Sequence, residues 1–142
     1  MEGKRGNIIF YALAAVLMGA GIHLTQEYRF YNIAANELFL YDWADLCARL
    51  AKTGGLATVL SSFLSQFMHI PFVGTLILTG IYMLAAWLIG RIGEKMTGSR
   101  LMKGLAFLPV AFLFLCLDND YYRFQGHSAY LMVLVALYAY LS

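Results

Sequence analysis

GGLATVLSSFLSQFMHIP, residues 54–71, is the stretch on which the reading of this chain turns. Leu56, Val59, Leu60, Phe63, Leu64 and Phe67 recur at three- and four-residue spacing, while Ser61, Ser62, Ser65, Gln66 and His69 fall on other faces. That is the pattern of an amphipathic helix. Its polar face carries no Lys, Arg, Asp or Glu. A surface helix of a soluble domain has charges on its wet side, and a membrane-spanning helix needs about 20 apolar residues. The segment fits neither description and reads as a helix lying in, or dipping into, a membrane interface. Gly54 and Gly55 supply a break before it, and His69-Ile70-Pro71 reads as a corner after it, because proline pushes the preceding residue out of helical geometry.

Upstream, residues 25–52 mix Glu27, Arg29, Glu37, Asp42, Asp45 and Arg49 with Tyr28, Phe30, Tyr31, Phe39, Tyr41 and Trp43. This composition suits a water-facing loop at headgroup level, where amphipathic rings are favoured. The run from Asn36 onward, NELFLYDWADLCARL, predicts a short helix with an Asp45–Arg49 pair across one turn. Before it, residues 8–24 form a first crossing in which Ala15 and Gly19 have the small-xxx-small spacing of close helix packing.

Downstream, residues 71–90 are the second crossing, with Trp87 near its far end, and residues 91–103 form the most basic loop of the chain. A third crossing over 104–117 contains Pro109, which predicts a kink. An outer turn over 118–127 leads to a fourth apolar run, 128–142. That last run is short, about 14 residues before the end, so the chain is expected to be the N-terminal part of a longer protein. One membrane domain covers 1–142, with interfacial helices in the outer loop 25–70.

Composition agrees with this layout. Hydrophobic residues make up 61% and charged residues 13%, against roughly a quarter charged in soluble domains. The expected fold is therefore all-α: a multi-pass membrane helical bundle of three to four transmembrane helices with an outward-facing amphipathic or re-entrant segment. A net charge of +2, with no basic run interleaved with aromatics, excludes a nucleic-acid partner. Cys47 and Cys116 could form at most one bridge and imply no disulfide framework. The first apolar run lacks a small-residue cleavage site, so it reads as a retained anchor.

Orientation follows from the basic residues. With the N-terminus cytoplasmic, Lys4, Arg5, Arg91, Lys95, Arg100 and Lys103 lie inside, and Arg29, Arg49, Lys52 and Arg123 outside. The expected location is a bacterial cytoplasmic (inner) membrane. Glu27, Glu37, Asp42, Asp45, Asp118 and Asp120 then fall on the outer side, as do His23, His69 and His127.

Three constellations bear on function. Glu37 and Asp42 occupy a first outer loop, where multi-pass enzymes using lipid-linked sugars place a carboxylate as general base or cation holder; the plainer reading is a solvated loop face. His23, His69, His127, Asp118 and Asp120 could converge on a metal, yet no two histidines share a helical spacing, and none is assigned as a metal ligand. Ser61, Ser62, Ser65 and Gln66 read as a helix-packing or lipid-facing surface, because hydroxyls and amides bond between helices in lipid. The leading expectation is non-enzymatic: a membrane anchor, scaffold or assembly module. Its partners would be the lipid bilayer and other membrane helices or the rest of its own longer chain, and no cofactor is expected. The alternative is the membrane domain of a lipid-linked-sugar glycosyltransferase-like enzyme with catalytic Asp42 and Glu37.

The chain also resembles a bacterial family of uncharacterised multi-pass membrane proteins, the domain of unknown function 6057 type. The resemblance rests on Gly54-Gly55-Leu56, Phe63-Leu64, Gln66-Phe67, Pro71, Gly74, Pro109 and Asp120-Tyr121-Tyr122. It implies further membrane helices and a downstream helical region, and no activity.

Overall fold

A computed structural model describes residues 2–36, 39–70, 72–99, 101–117 and 123–142. The described residues form helices α1 (Glu2–Asn36), α2 (Trp43–Leu50), α3 (Gly55–Ser65), α4 (Val73–Thr97), α5 (Met102–Leu105), α6 (Phe107–Leu117) and α7 (Gln125–Leu141), and no strand. Two of them, Gly6–Gln26 within α1 and Val73–Thr97, are long and apolar enough to cross a membrane.

Helix α1 continues well past Leu24 into sequence whose composition reads as a loop. The reason is a second periodicity: Ile22, Gln26, Phe30 and Ile33 follow one another at three- and four-residue spacing and turn toward the core. Gln26 hides this face from a count of apolar residues. Between Thr25 and Asn36 there is also no Gly or Pro to end the helix.

Helix α2 starts at Trp43, later than Asn36, because Asp42 caps it. Asp42 has extended backbone (φ −105°, ψ 126°), and its carboxylate accepts the Ala44 N–H at 3.2 Å. Arg49 Nε donates to Asp45 Oδ2 at 2.7 Å, the pair read from spacing. The chain then reverses at Gly54, whose φ of +77° is left-handed. Gly55 is required for a different reason: a Cβ there would strike the Arg49 carbonyl oxygen and lie 2.8 Å from Leu50 Cα. The corner at Pro71 lies outside the described residues; Phe72 beyond it has a positive φ of 74°.

Helix α4 is the hub, packing against α1, α5, α6 and α7. Gly19 of α1 lies against Thr79, and Tyr11 reaches toward Gly90, so α1 and α4 are antiparallel. Gly90 and Gly93 face Lys103 and Met102, while Tyr82 meets Leu113, so α5 and α6 also run against α4. Helix α7 runs parallel to α4, with His127 beside Tyr82, and Tyr138 beside Trp87 and Lys95. The expected kink at Pro109 takes the form of a break at Ala106 between α5 and α6. Proline lacks the N–H that would bond to Leu105, and its ring crowds that carbonyl.

Several polar side chains share the apolar core, while many large apolar ones face outward. Ser61, Ser65, His127 and Ser128 are fully buried, and Ser62, Gln26 and Thr75 nearly so. Ile8, Leu13, Leu17, Leu24, Leu56, Leu108 and Leu115 are exposed.

Candidate functional site

Beyond the apolar part of α1, its last turns meet the 39–41 segment and the turn that follows α3. Tyr31, Ala34, Ala35, Phe39, Tyr41, Gln66, Phe67, His69 and Ile70 line an open groove there of about 670 Å³, within the usual range of small-molecule sites. Among the described residues, no charged side chain lines it.

Gln66 organises the groove. Its Nε2 donates to the Phe39 carbonyl at 3.0 Å, and its Oε1 accepts from the Tyr41 hydroxyl at 3.0 Å. One amide thereby ties together two segments more than 20 residues apart in sequence, a pairing no local pattern announces. His69 Nδ1 is hydrogen-bonded to the Gln66 carbonyl. A carbonyl can only accept, so in the neutral ring Nε2 is left as the acceptor. The rings of Tyr41, Phe39, Phe63 and Phe67 continue in a row of edge-to-face contacts at 5.0, 5.8 and 5.4 Å. This edge-to-face geometry suits aromatic quadrupoles.

The second polar constellation is interior. Tyr82 Oη lies 2.9 Å from His127 Nε2 and 3.5 Å from the Leu113 carbonyl, so one node joins α4, α6 and α7. Phe124 stacks on the imidazole with centroids 5.9 Å apart. Helix α3 packs against α7, and Gln125 donates to the Thr58 hydroxyl at that contact. Ser65 donates to the Ser62 carbonyl at 2.9 Å, one turn back along α3. Sequence reading places His127 among headgroups and misses its pairing with Tyr82, which is the sole tyrosine of the second apolar run. Among the described residues, His23 Nδ1, Gln26 Oε1, Thr75 Oγ1, Thr79 Oγ1 and Ser128 Oγ are buried without a hydrogen-bond partner.

The residues singled out in the sequence separate into these two places. Ser61, Ser62 and Ser65 belong to the buried face of α3, whereas Gln66 belongs to the groove. Asp42 is exposed and serves as the cap of α2; its neighbour Tyr41, not Asp42 itself, lines the groove. Glu37, Asp118 and Asp120 lie outside the described residues. His23 packs edge-on against Phe72, His69 sits at the groove and His127 at the interior node. Among the described residues, no three His, Cys, Asp or Glu side chains gather as a metal site would require.

No curated protein and no solved structure matches this chain. The profile of the family of unknown function DUF6057 matches residues 4–142, nearly the whole chain, and the protein therefore belongs to that family.

Proposed function

We propose that this chain is a multi-pass membrane domain that acts as a scaffold, holding a bundle of helices together for other membrane helices or for further parts of its own chain. The observation that carries the reading is the broad exposure of large apolar side chains around a core that also buries hydroxyls, an amide and an imidazole. A soluble fold leaves exposed apolar patches of at most a few hundred Å², and α1 alone presents Ile8, Ile9, Leu13, Val16, Leu17 and Leu24 outward. In lipid this arrangement is the favourable one. Apolar side chains face the acyl chains, and hydroxyls, amides and imidazoles bond between helices where water cannot compete.

Four crossings, α1, α4, the broken α5–α6 and α7, would place the N-terminus and the basic turn after α4 on the cytoplasmic side of a bacterial inner membrane. Helices α2 and α3 would then lie on the outer side. Arg91, Lys95 and Lys103 support that orientation through the positive-inside rule. Lys103 and Arg91 pair with Glu94 at 3.1 and 3.9 Å, and Lys95 donates to the Leu141 carbonyl at 3.0 Å, so the same end is tied by charge.

The test is twofold. In alkaline carbonate the chain should stay with membranes. In a background lacking Cys47 and Cys116, a cysteine at Asn32 should react with an impermeant thiol reagent on intact cells, and one at Ser99 should not. Release into the carbonate supernatant would refute the membrane reading, and the reverse labelling pattern would refute the orientation.

A further inference from the structure

We infer that the groove between the end of α1 and the turn after α3 binds an amphiphile with an uncharged, hydroxyl-bearing headgroup, a glycosyl lipid, whose chain lies along α1. The inference rests on the membrane reading above.

The chain's path comes from α1. Leu13, Leu17, Ala20, Leu24, Tyr28, Tyr31 and Ala35 follow at three- and four-residue spacing and are all exposed, Leu24 at 83%. This stripe passes Tyr28, whose ring carries the Arg29 guanidinium at 5.4 Å, and reaches the groove, because Tyr31 and Ala35 are among its lining residues. At 1.5 Å per residue the stretch from Leu13 to Leu24 measures roughly 16 Å, comparable to one leaflet of a ~30 Å hydrocarbon core. The groove therefore sits where a lipid's head would be when its chain follows the stripe.

The lining selects the head. A phosphate needs Lys, Arg or a cluster of free backbone N–H groups to offset its charge, and among the described residues no cationic side chain lines the groove. That disfavours anionic lipids, zwitterionic lipids and polyprenyl phosphates alike. An ammonium group would find aromatic rings but, among the described residues, no lining carboxylate. A sugar ring matches better. Its C–H faces pack on the rings of Tyr31, Phe39, Tyr41 and Phe67, and its hydroxyls can both donate to and accept from phenol, amide and imidazole groups. The wall is already set before binding, since Gln66, Tyr41, Phe39 and His69 are hydrogen-bonded to one another.

Native mass spectrometry tests the assignment. The purified chain is released from micelles containing equal amounts of diglucosyl-diacylglycerol, phosphatidylglycerol and phosphatidylethanolamine of matched chains. The glycolipid should be retained about fivefold to tenfold over either phospholipid. Ala35→Trp, which fills the groove from an exposed position, and Tyr31→Leu, which keeps the stripe apolar but removes the phenol, should each bring retention near parity. Leu108→Ala, on the exposed face of α6, should leave the preference unchanged. Circular dichroism confirming parental helicity keeps the two groove variants interpretable. Equal retention of the three lipids, preference for the anionic lipid, or an undiminished preference in both groove variants would overturn the proposal. Free glucose at millimolar concentration should not compete; full competition would mean a soluble sugar and would equally refute it. A chain that stays in carbonate-washed membranes but shows no headgroup preference fails this inference alone, whereas release by carbonate removes the membrane reading beneath it.

Discussion

The apolar window of α1 and helix α4 have the same mean hydropathy, 1.9, yet 6% of the first is buried within the protein and 50% of the second. Hydropathy reports which solvent a helix prefers and is silent on which neighbours it takes. What separates the two is the placement of small residues. Helix α4 has Gly74 against Phe30, Gly90 against Lys103 and Gly93 against Met102, with Ala85 and Ala86 buried between. Backbones can approach closely along its whole length. Helix α1 offers one small residue of its own to this packing, Gly19 facing Thr79; its other contacts put large side chains over glycines of α4, Phe30 at Gly74 and Tyr11 at Gly90. Around these points it leaves a broad apolar face uncovered. A hub and a peripheral helix have thus been built from equally apolar sequence.

The largest expected effect that would sharpen this contrast is at matched leucines. Leu78 of α4 is fully buried, and Leu17 of α1 is 67% exposed. Leu78→Ala should lower stability by about 2 kcal/mol, the low end of the soluble-core range, because in lipid the cavity cost remains while the transfer from water is lost. Leu17→Ala should stay within ~0.5 kcal/mol. Thermal melts in detergent compare the two, and equal losses would break the distinction between hub and periphery.

A smaller effect probes the α1 contact itself. A Cβ at Gly19 would meet Thr79 Oγ1 at 3.4 Å, but one at Gly21 would meet nothing within 4 Å. Gly19→Ala should therefore be tolerated. Gly19→Leu should cost about 1–3 kcal/mol through overpacking, with Gly21→Leu neutral. The readout is cross-linking between cysteines placed on α1 and α4, which Gly19→Leu should weaken. If both leucine variants behave alike, α1 is not docked through this seam.

The smallest effect concerns the polar node on α4, which has no counterpart on the exposed face of α1. A double-mutant cycle with Tyr82→Phe and His127→Phe should return a coupling of about 0.6 kcal/mol, the average for hydrogen bonds between helices in membranes. The cycle is needed because each single change also alters packing against Phe114 or Phe124. Zero coupling would mean that α7 is held to α4 by shape alone.

Much of the local structure was legible from residues close in sequence. Gly54 has the left-handed backbone its type allows, Asp45 and Arg49 pair one turn apart, and Gly19 was readable as half of a small-residue spacing. Other local signals were present and outweighed. Asp42 before Trp43-Ala44-Asp45 is a helix-cap pattern, but the apolar residues from Asn36 onward suggested an earlier start. Gln66 was legible as polar on an amphipathic helix, whereas its role in closing the groove with Phe39 and Tyr41 was not, because both partners are distant in sequence.

By itself, the sequence determined the helical class, the reversal at Gly54 and the surplus of apolar surface, since these follow from periodicity, turn residues and composition acting over a few neighbours. Only the tertiary structure decided which of two equally apolar helices became the hub, that the serine face of α3 turned inward, and that Tyr82 met His127. Those outcomes depend on the fit of side chains from helices far apart in the chain, and close packing allows few such fits, none of which a single helix's pattern can specify.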